Sequence, residues 1–403
     1  MVKRKRTPVE LKVRDLTEKI QVDGHDMPQW GPHTARFVDD INKEIIFYWL
    51  DDEDKYQLSI LSLRTGVWSN ETEKFKVIET PGSPLSSEIG GVGLPIHNAA
   101  ADVFCRLAGY RVILLFGGYS GLPEDAASVP TSRLCIVNLD TFKWWDVDVP
   151  ADLTPRLSAR LVFVEDELYV FGGQGRAVRN TYSMARFDNR THRWTWVVKD
   201  KAYPAHVPPL GFCGDAISVF GGKQILLMPG YQMARAKQET TNYTAASFIL
   251  FDRTRRSFKK CNITGKFPSG VIGCDVFLAF SRGFLQGLDD THTHPHPADG
   301  ADRSGAAGAT SCSVLMAVWK PCLKDERDLP ELWLLDLSPN SNSPSTSRCL
   351  HYQEKFRNLG EEEDRMSLIT AAVLVDRRIV ILGTKQPVNE ETKFGACLEI
   401  EFP

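Results

Sequence analysis

Three short apolar runs in this chain end on glycine in nearly the same way, and each leads into a further apolar run. Arg111-Val112-Ile113-Leu114-Leu115-Phe116-Gly117-Gly118 is followed by Leu134 to Asp140 and then by Trp144. Glu167-Leu168-Tyr169-Val170-Phe171-Gly172-Gly173 is followed by Ser183 to Asp188 and then by Trp194. Arg378 to Leu382 repeats the first element, but Gly383-Thr384 has lost the second glycine. A unit that recurs every several dozen residues marks a repeat architecture, in which each unit buries its apolar face only against its neighbours. A length of 403 residues would otherwise suggest two or three separate domains.

The apolar runs are short, rich in Val, Ile, Leu and Phe, and bounded by Gly, Pro, Asp and Asn, which is the pattern of strands. Only Leu11 to Ile20 hints at a helix, and its alternating Leu11 and Val13 leave it ambiguous. The third unit is the clearest. Pro155 to Val164 reads as one strand, Glu165-Asp166 as a turn and Glu167 to Phe171 as a second strand closed by Gly172-Gly173. A polar loop leads to a third strand ending at Asp188, and Arg193 to Val197 is the fourth. Four antiparallel strands make one propeller blade.

This pattern resembles the kelch repeat, with its glycine pair, its Asp-type turn and its tryptophan opening the fourth strand. The resemblance implies an all-β, six-bladed propeller with blades near residues 30–75, 90–150, 154–200, 208–264, 270–356 and 366–403. The last unit lacks a fourth strand, and the spare alternating segment Val9 to Arg14 is expected to close it. The signature residues are then Gly117, Gly118, Gly172, Gly173, Gly230 and Gly383, with Trp68, Trp144 and Trp194. In the fourth unit Gly221-Gly222 imitates the signature. The better strand Ile225 to Met228 comes after it, so Gly221-Gly222 reads as a turn and Pro229-Gly230 as the replaced pair, with Phe258 in the place of tryptophan. In this family the tryptophan packs between blades, so these rings are read as core.

Function is less legible. A formal net charge of −3 argues against a general polyanion-binding body, and no apolar stretch approaches a membrane span. Residues 1–8 read as a basic tail. Lys3 to Arg6 is a candidate nuclear import signal, and no apolar signal-peptide core follows it. Nine cysteines without CxxC spacing suggest reduced thiols, hence a cytoplasmic or nuclear protein that is not secreted. Residues 289–313 form a low-complexity insertion. Its His292, His294 and His296 are a weak metal candidate beside the plainer reading of a disordered loop.

Galactose oxidase has a kelch-type propeller, but its copper site needs a Tyr–Cys cross-link, a second tyrosine and two histidines. No such pattern is found here, and His33, His97 and His206 read as turn residues. Gly90-Gly91-Val92-Gly93 lacks the strand and helix of a nucleotide loop. No cofactor is expected. The expected role is a monomeric, non-catalytic scaffold for another protein, contacting it through loops after the glycine positions. Tyr119, Gln174, Arg176, Arg179 and Tyr231 are the candidate contacts. The alternative is an enzyme, oxidase- or isomerase-like, with a small-molecule or metal site at the mouth of a central channel.

Overall fold

The computed structural model describes residues 12–15, 21–22, 35–39, 41–51, 55–77, 100–120, 129–174, 181–205, 207, 215–228, 248–261, 263–264, 273–281, 312–319, 331–337, 345–350, 366–375, 378–385 and 394–401. These residues are all-β, with no α-helix among them. No helix among them is long and apolar enough to cross a membrane.

The chain opens with β1 (Lys12–Asp15) and β2 (Gln21–Val22). The first sheet then holds β3 (Ala35–Asp39), β4 (Glu44–Leu50), β5 (Tyr56–Ser62) and β6 (Val67–Asn70). After β7 (Lys76–Val77) comes a second sheet of β8 (Ala100–Leu107), β9 (Tyr110–Gly117), β10 (Leu134–Asn138) and β11 (Lys143–Val147). The third sheet is β12 (Arg160–Val164), β13 (Glu167–Phe171), β14 (Thr181–Asp188) and β15 (Arg193–Ala202). The fourth is β16 (Asp215–Val219), β17 (Gln224–Met228), β18 (Ile249–Asp252) and β19 (Ser257–Lys260). A short β20 (Ile263–Thr264) precedes the fifth, with β21 (Gly273–Ser281), β22 (Cys312–Trp319), β23 (Glu331–Leu337) and β24 (Ser345–Leu350). The sixth contains β25 (Met366–Val375), β26 (Arg378–Lys385) and β27 (Phe394–Glu401), and β1 pairs antiparallel with β27.

Within each sheet successive strands are antiparallel neighbours. Three sheets gain a fifth strand of two residues, and it is parallel: β2 on β6, β7 on β11 and β20 on β24. Each time the chain leaving one outer strand touches the outer edge of the next sheet before entering it. The first strands of successive sheets lie beside one another, and β25 of the last lies beside β3 of the first.

Among the described residues, apolar side chains fill the spaces between successive sheets from the first to the fifth. Ile46, Tyr48 and Leu58 of the first sheet share a core with Ile113, Leu115 and Val137 of the second. Leu114, Phe116 and Ile136 on the other face of the second pack with Leu161, Val170 and Phe187 of the third. The third and fourth meet through Tyr169, Phe171, Tyr182, Ile225 and Phe251, and the fourth and fifth through Leu226, Met228, Val314 and Leu335. Alternation in β9, β13 and β17 thus serves both faces, as strands buried on two sides require. Charged staples reinforce two of these seams. Arg111 of β9 pairs with Glu44 of β4 at 2.6 Å, and Arg253 after β18 pairs with Glu167 of β13 at 2.9 Å.

The strand expected over Pro155 to Val164 is shorter, beginning at Arg160. Leu157 still bridges antiparallel to Gln174 in the register of β12 and β13, but Arg156 before it bonds its backbone to the second sheet's loop. The Arg156 N–H donates to the Thr131 carbonyl, and the Arg156 carbonyl accepts from Gly118 N–H at 2.9 Å. The segment Leu11 to Ile20 contributes strand β1.

Candidate interaction face at the glycine-pair end

The second and third sheets end at the same edge on Gly117-Gly118 and Gly172-Gly173. Gly117 has φ +75°, and a Cβ there would meet the Arg156 carbonyl oxygen at 2.2 Å. Glycine is required both by its backbone conformation and by the close pass of a neighbouring chain. Gly173, at φ +100°, faces the Leu157 carbonyl at 3.1 Å in the same manner. The glycine pairs therefore make room for the segment that enters the third sheet.

That segment ties the two loop bases together. Arg156 is bonded to Gly118 and Thr131, and Leu157 exchanges two backbone hydrogen bonds with Gln174, at 3.0 and 2.7 Å. Tyr119 follows Gly118 directly and bridges to Pro130, and Ser120 N–H donates to the Val129 carbonyl. The second and third strands of the second sheet thus continue past the glycines as a hairpin. Tyr119 is half-buried at its base, while Val129 is 57 % exposed and Gln174 is exposed.

Beneath the rim lies a polar cluster that sequence reasoning missed. Arg156 is fully buried, the largest such side chain among the described residues. Its guanidinium donates to the Gly172 carbonyl at 3.1 Å, to Ser183 Oγ at 2.8 Å and to the Asp200 carboxylate. The other Asp200 oxygen accepts from the Thr154 N–H at 2.9 Å and the Thr154 hydroxyl at 2.6 Å. Burial acts to raise the Asp200 carboxyl, but the Thr154 and Arg156 hydrogen bonds outweigh it and hold the group below its ordinary value. Asp200 has φ +43°, where β14 and β15 lose regular register. An Asp in an alternating strand and an Arg before one gave no sequence signal, since their partnership spans the unit.

No family model matches the chain, and no curated protein matches it significantly. The likeness to kelch repeats therefore rests on the residues themselves.

Of the expected site residues, Tyr119 and Gln174 are brought to one edge and joined through residues 156–157. Arg176, Arg179, Tyr231 and Gly230 lie outside the described residues, as do His33, His97, His206, Gly90 to Gly93, the three histidines of the insertion and Lys3 to Arg6. Trp144 packs into the core between the first and second sheets, and Trp194 into that between the second and third. Trp68 is buried with its ring 5.0 Å from Phe47. Phe258 occupies the equivalent place between the third and fourth sheets. Gly221-Gly222 forms the turn between β16 and β17, with Met228 buried at the far end of β17. Gly383 stands inside β26, opposite Ala396.

Proposed function

We propose that the six sheets are the blades of a kelch-type propeller, closed by β1, and that the protein is a non-catalytic module that binds another protein at the glycine-pair edge. The order of first strands, with β25 beside β3, supports the ring, and the pairing of β1 with β27 supports closure at the junction of last and first units. One observation carries the functional reading. The hydrogen-bonded seam Thr131–Arg156–Gly118 and Leu157–Gln174 fixes the bases of two recognition loops across two sheets. Loops held this way pay little ordering cost on binding, which suits a recognition surface. Tyrosine at such a rim combines contact area with a directed hydroxyl.

The test is cross-linking from the hairpin in source-cell extract, comparing the native chain with a Tyr119→Ala, Gln174→Ala double variant. A polypeptide captured by the native chain and lost by at least roughly tenfold in the variant, at equal melting temperature, is expected for two contact residues of hot-spot strength. Equal capture by both chains overturns the assignment of this face.

A further inference from the structure

The outer strands of the third and fourth sheets are more cationic than the chain as a whole. From Arg186 to Lys201 there are five Arg and Lys against two Asp, and from Asp252 to Lys260 five against one, in a chain of net charge −3. These two segments face each other. Tyr182 and Met184 of β14 belong to the core shared with the fourth sheet, so their partners on β15, Lys201 and Val198, turn the same way. Arg193, opposite Asp188, stands on that face too. On β19, Phe258 and Lys260 lie opposite Phe251 and Ile249, which face the third sheet. The Phe258 ring is 5.1 Å from Tyr203 and 5.7 Å from Tyr182, forming the floor of a groove. Burial raises the Tyr182 phenol, and nearby Arg256 works against that rise.

Three other cations of these segments are paired. Arg186 and Arg253 pair with Glu167, and Lys199 pairs with Asp152. Arg193, Lys201, Arg256 and Lys260 are exposed and make no ion pair among the described residues. No strand pairs with the outer edge of β15 among the described residues, and only residues 152–154 meet it, at Lys199 and Asp200. In the first, second and fifth sheets the outer strand carries an added parallel strand, whereas β15 carries none among the described residues. Phe187 N–H donates inward to the Asp166 carbonyl. Its partner Trp194 therefore turns its own N–H and C=O toward that outer edge. Val197, beside the register shift, is 41 % exposed there.

We infer that this groove binds an extended acidic segment of a partner protein, laid along β15 as an added strand. Its carboxylates meet Arg193, Lys201, Arg256 and Lys260, and its apolar residues cover Val197 and the edge of Phe258. Added strands gain affinity from main-chain bonds and specificity from alternate side chains. Charge complementarity favours acidic over neutral segments. A peptide fits better than a nucleic acid. The aromatic floor is buried or half-buried, so it offers no open platform for stacked bases, and the rest of the chain is negative. The inference holds whichever partner the glycine-pair loops take.

The experiment is fluorescence anisotropy with a short labelled peptide of alternating Val and Glu, run beside a single-stranded DNA oligonucleotide. The native chain should bind the peptide saturably. Arg193→Glu with Arg256→Glu should weaken binding by at least roughly tenfold, since two attractions become repulsions, and added salt should weaken it too. Tyr119→Ala should leave it unchanged, which separates this surface from the loop face. Should the double variant fold poorly, Lys201→Gln with Lys260→Gln gives a milder loss by the same logic. No saturable peptide binding, equal binding by the charge variants, or tighter binding of the oligonucleotide would overturn the inference.

Discussion

Asp200 shows how much a single residue organises at the rim. Its carboxylate receives Arg156, Thr154 and the Ser183 hydroxyl, at 3.0 Å for the last. A buried guanidinium without that carboxylate would carry an uncompensated charge. Asp200→Asn keeps the shape but removes the charge, so a loss of about 1.5–3 kcal/mol is expected, the range for hydrogen bonds to charged groups. The pH dependence follows from the lowered carboxyl pKa. The stabilisation is fully present above the unfolded carboxylate value of about 3.9. It fades as the pH falls through the lower native value. Denaturant titrations should show native and variant chains far apart at neutral pH and converging in acid. A gap that stays constant down to strongly acidic pH would contradict the assigned role. Gly117 is the complement of this residue. The sequence marks it as essential through its pairing with Gly118, but the reason, the Arg156 carbonyl lying where a Cβ would go, becomes visible only when two units are set side by side.

At the level of elements, the decisive strand is β1. Its register with β27 runs from Lys12 opposite Glu401 to Asp15 opposite Leu398. The chain then touches the first sheet through β2, the same step that β7 and β20 make between other sheets. β1 thus behaves as an outer strand of the sixth sheet. Deleting residues 1–16 should expose the edge of β27 and lower the melting temperature by at least a few degrees. An unchanged transition would show that β1 contributes nothing to stability. Much of this was legible in advance. Val9 to Arg14 stands out as an alternating segment without a partner, and Gly221-Gly222 reads as the turn before β17 because the stronger strand follows it. The two-residue parallel strands were not legible, since Gln21-Val22 or Lys76-Val77 is too short to show any period. Ser345–Leu350 escaped notice because its Ser- and Thr-rich composition matches a loop. The start of β12 lies later than the apolar alternation of Leu157 and Ala159 suggests, because the ladder with β13 is continuous only from Arg160, with Leu157 an isolated bridge to Gln174 and Arg156 bonded across to the second sheet.

At the scale of the molecule, the described cores join each of the first five sheets to its neighbours, so stability there comes from a succession of two-sheet cores. Such a body tolerates additions at strand junctions as long as the paired strands keep their register. The low-complexity segment within residues 289–313 joins β21 to β22, and these two strands pair from Gly273 opposite Trp319 to Ser281 opposite Cys312. A hairpin of that register needs only a short connection. The segment's Gly, Ala, Pro and His offer little apolar area against an ordering cost of about 1–2 kcal/mol per residue. Replacing Thr291 to Gly308 with a short Gly/Ser linker should therefore leave the thermal transition nearly unchanged. Loop-closure entropy even favours the shorter chain slightly, since each halving of a loop lowers the cost by about 0.6 kcal/mol. Differential scanning calorimetry on the two chains makes the comparison. A melting temperature lowered by several degrees, or loss of the cooperative transition, would mean that the insertion packs on the sheets and contributes to their cores. In that case the apolar residues flanking it, beginning with Phe284 and Leu285, would be the first to substitute.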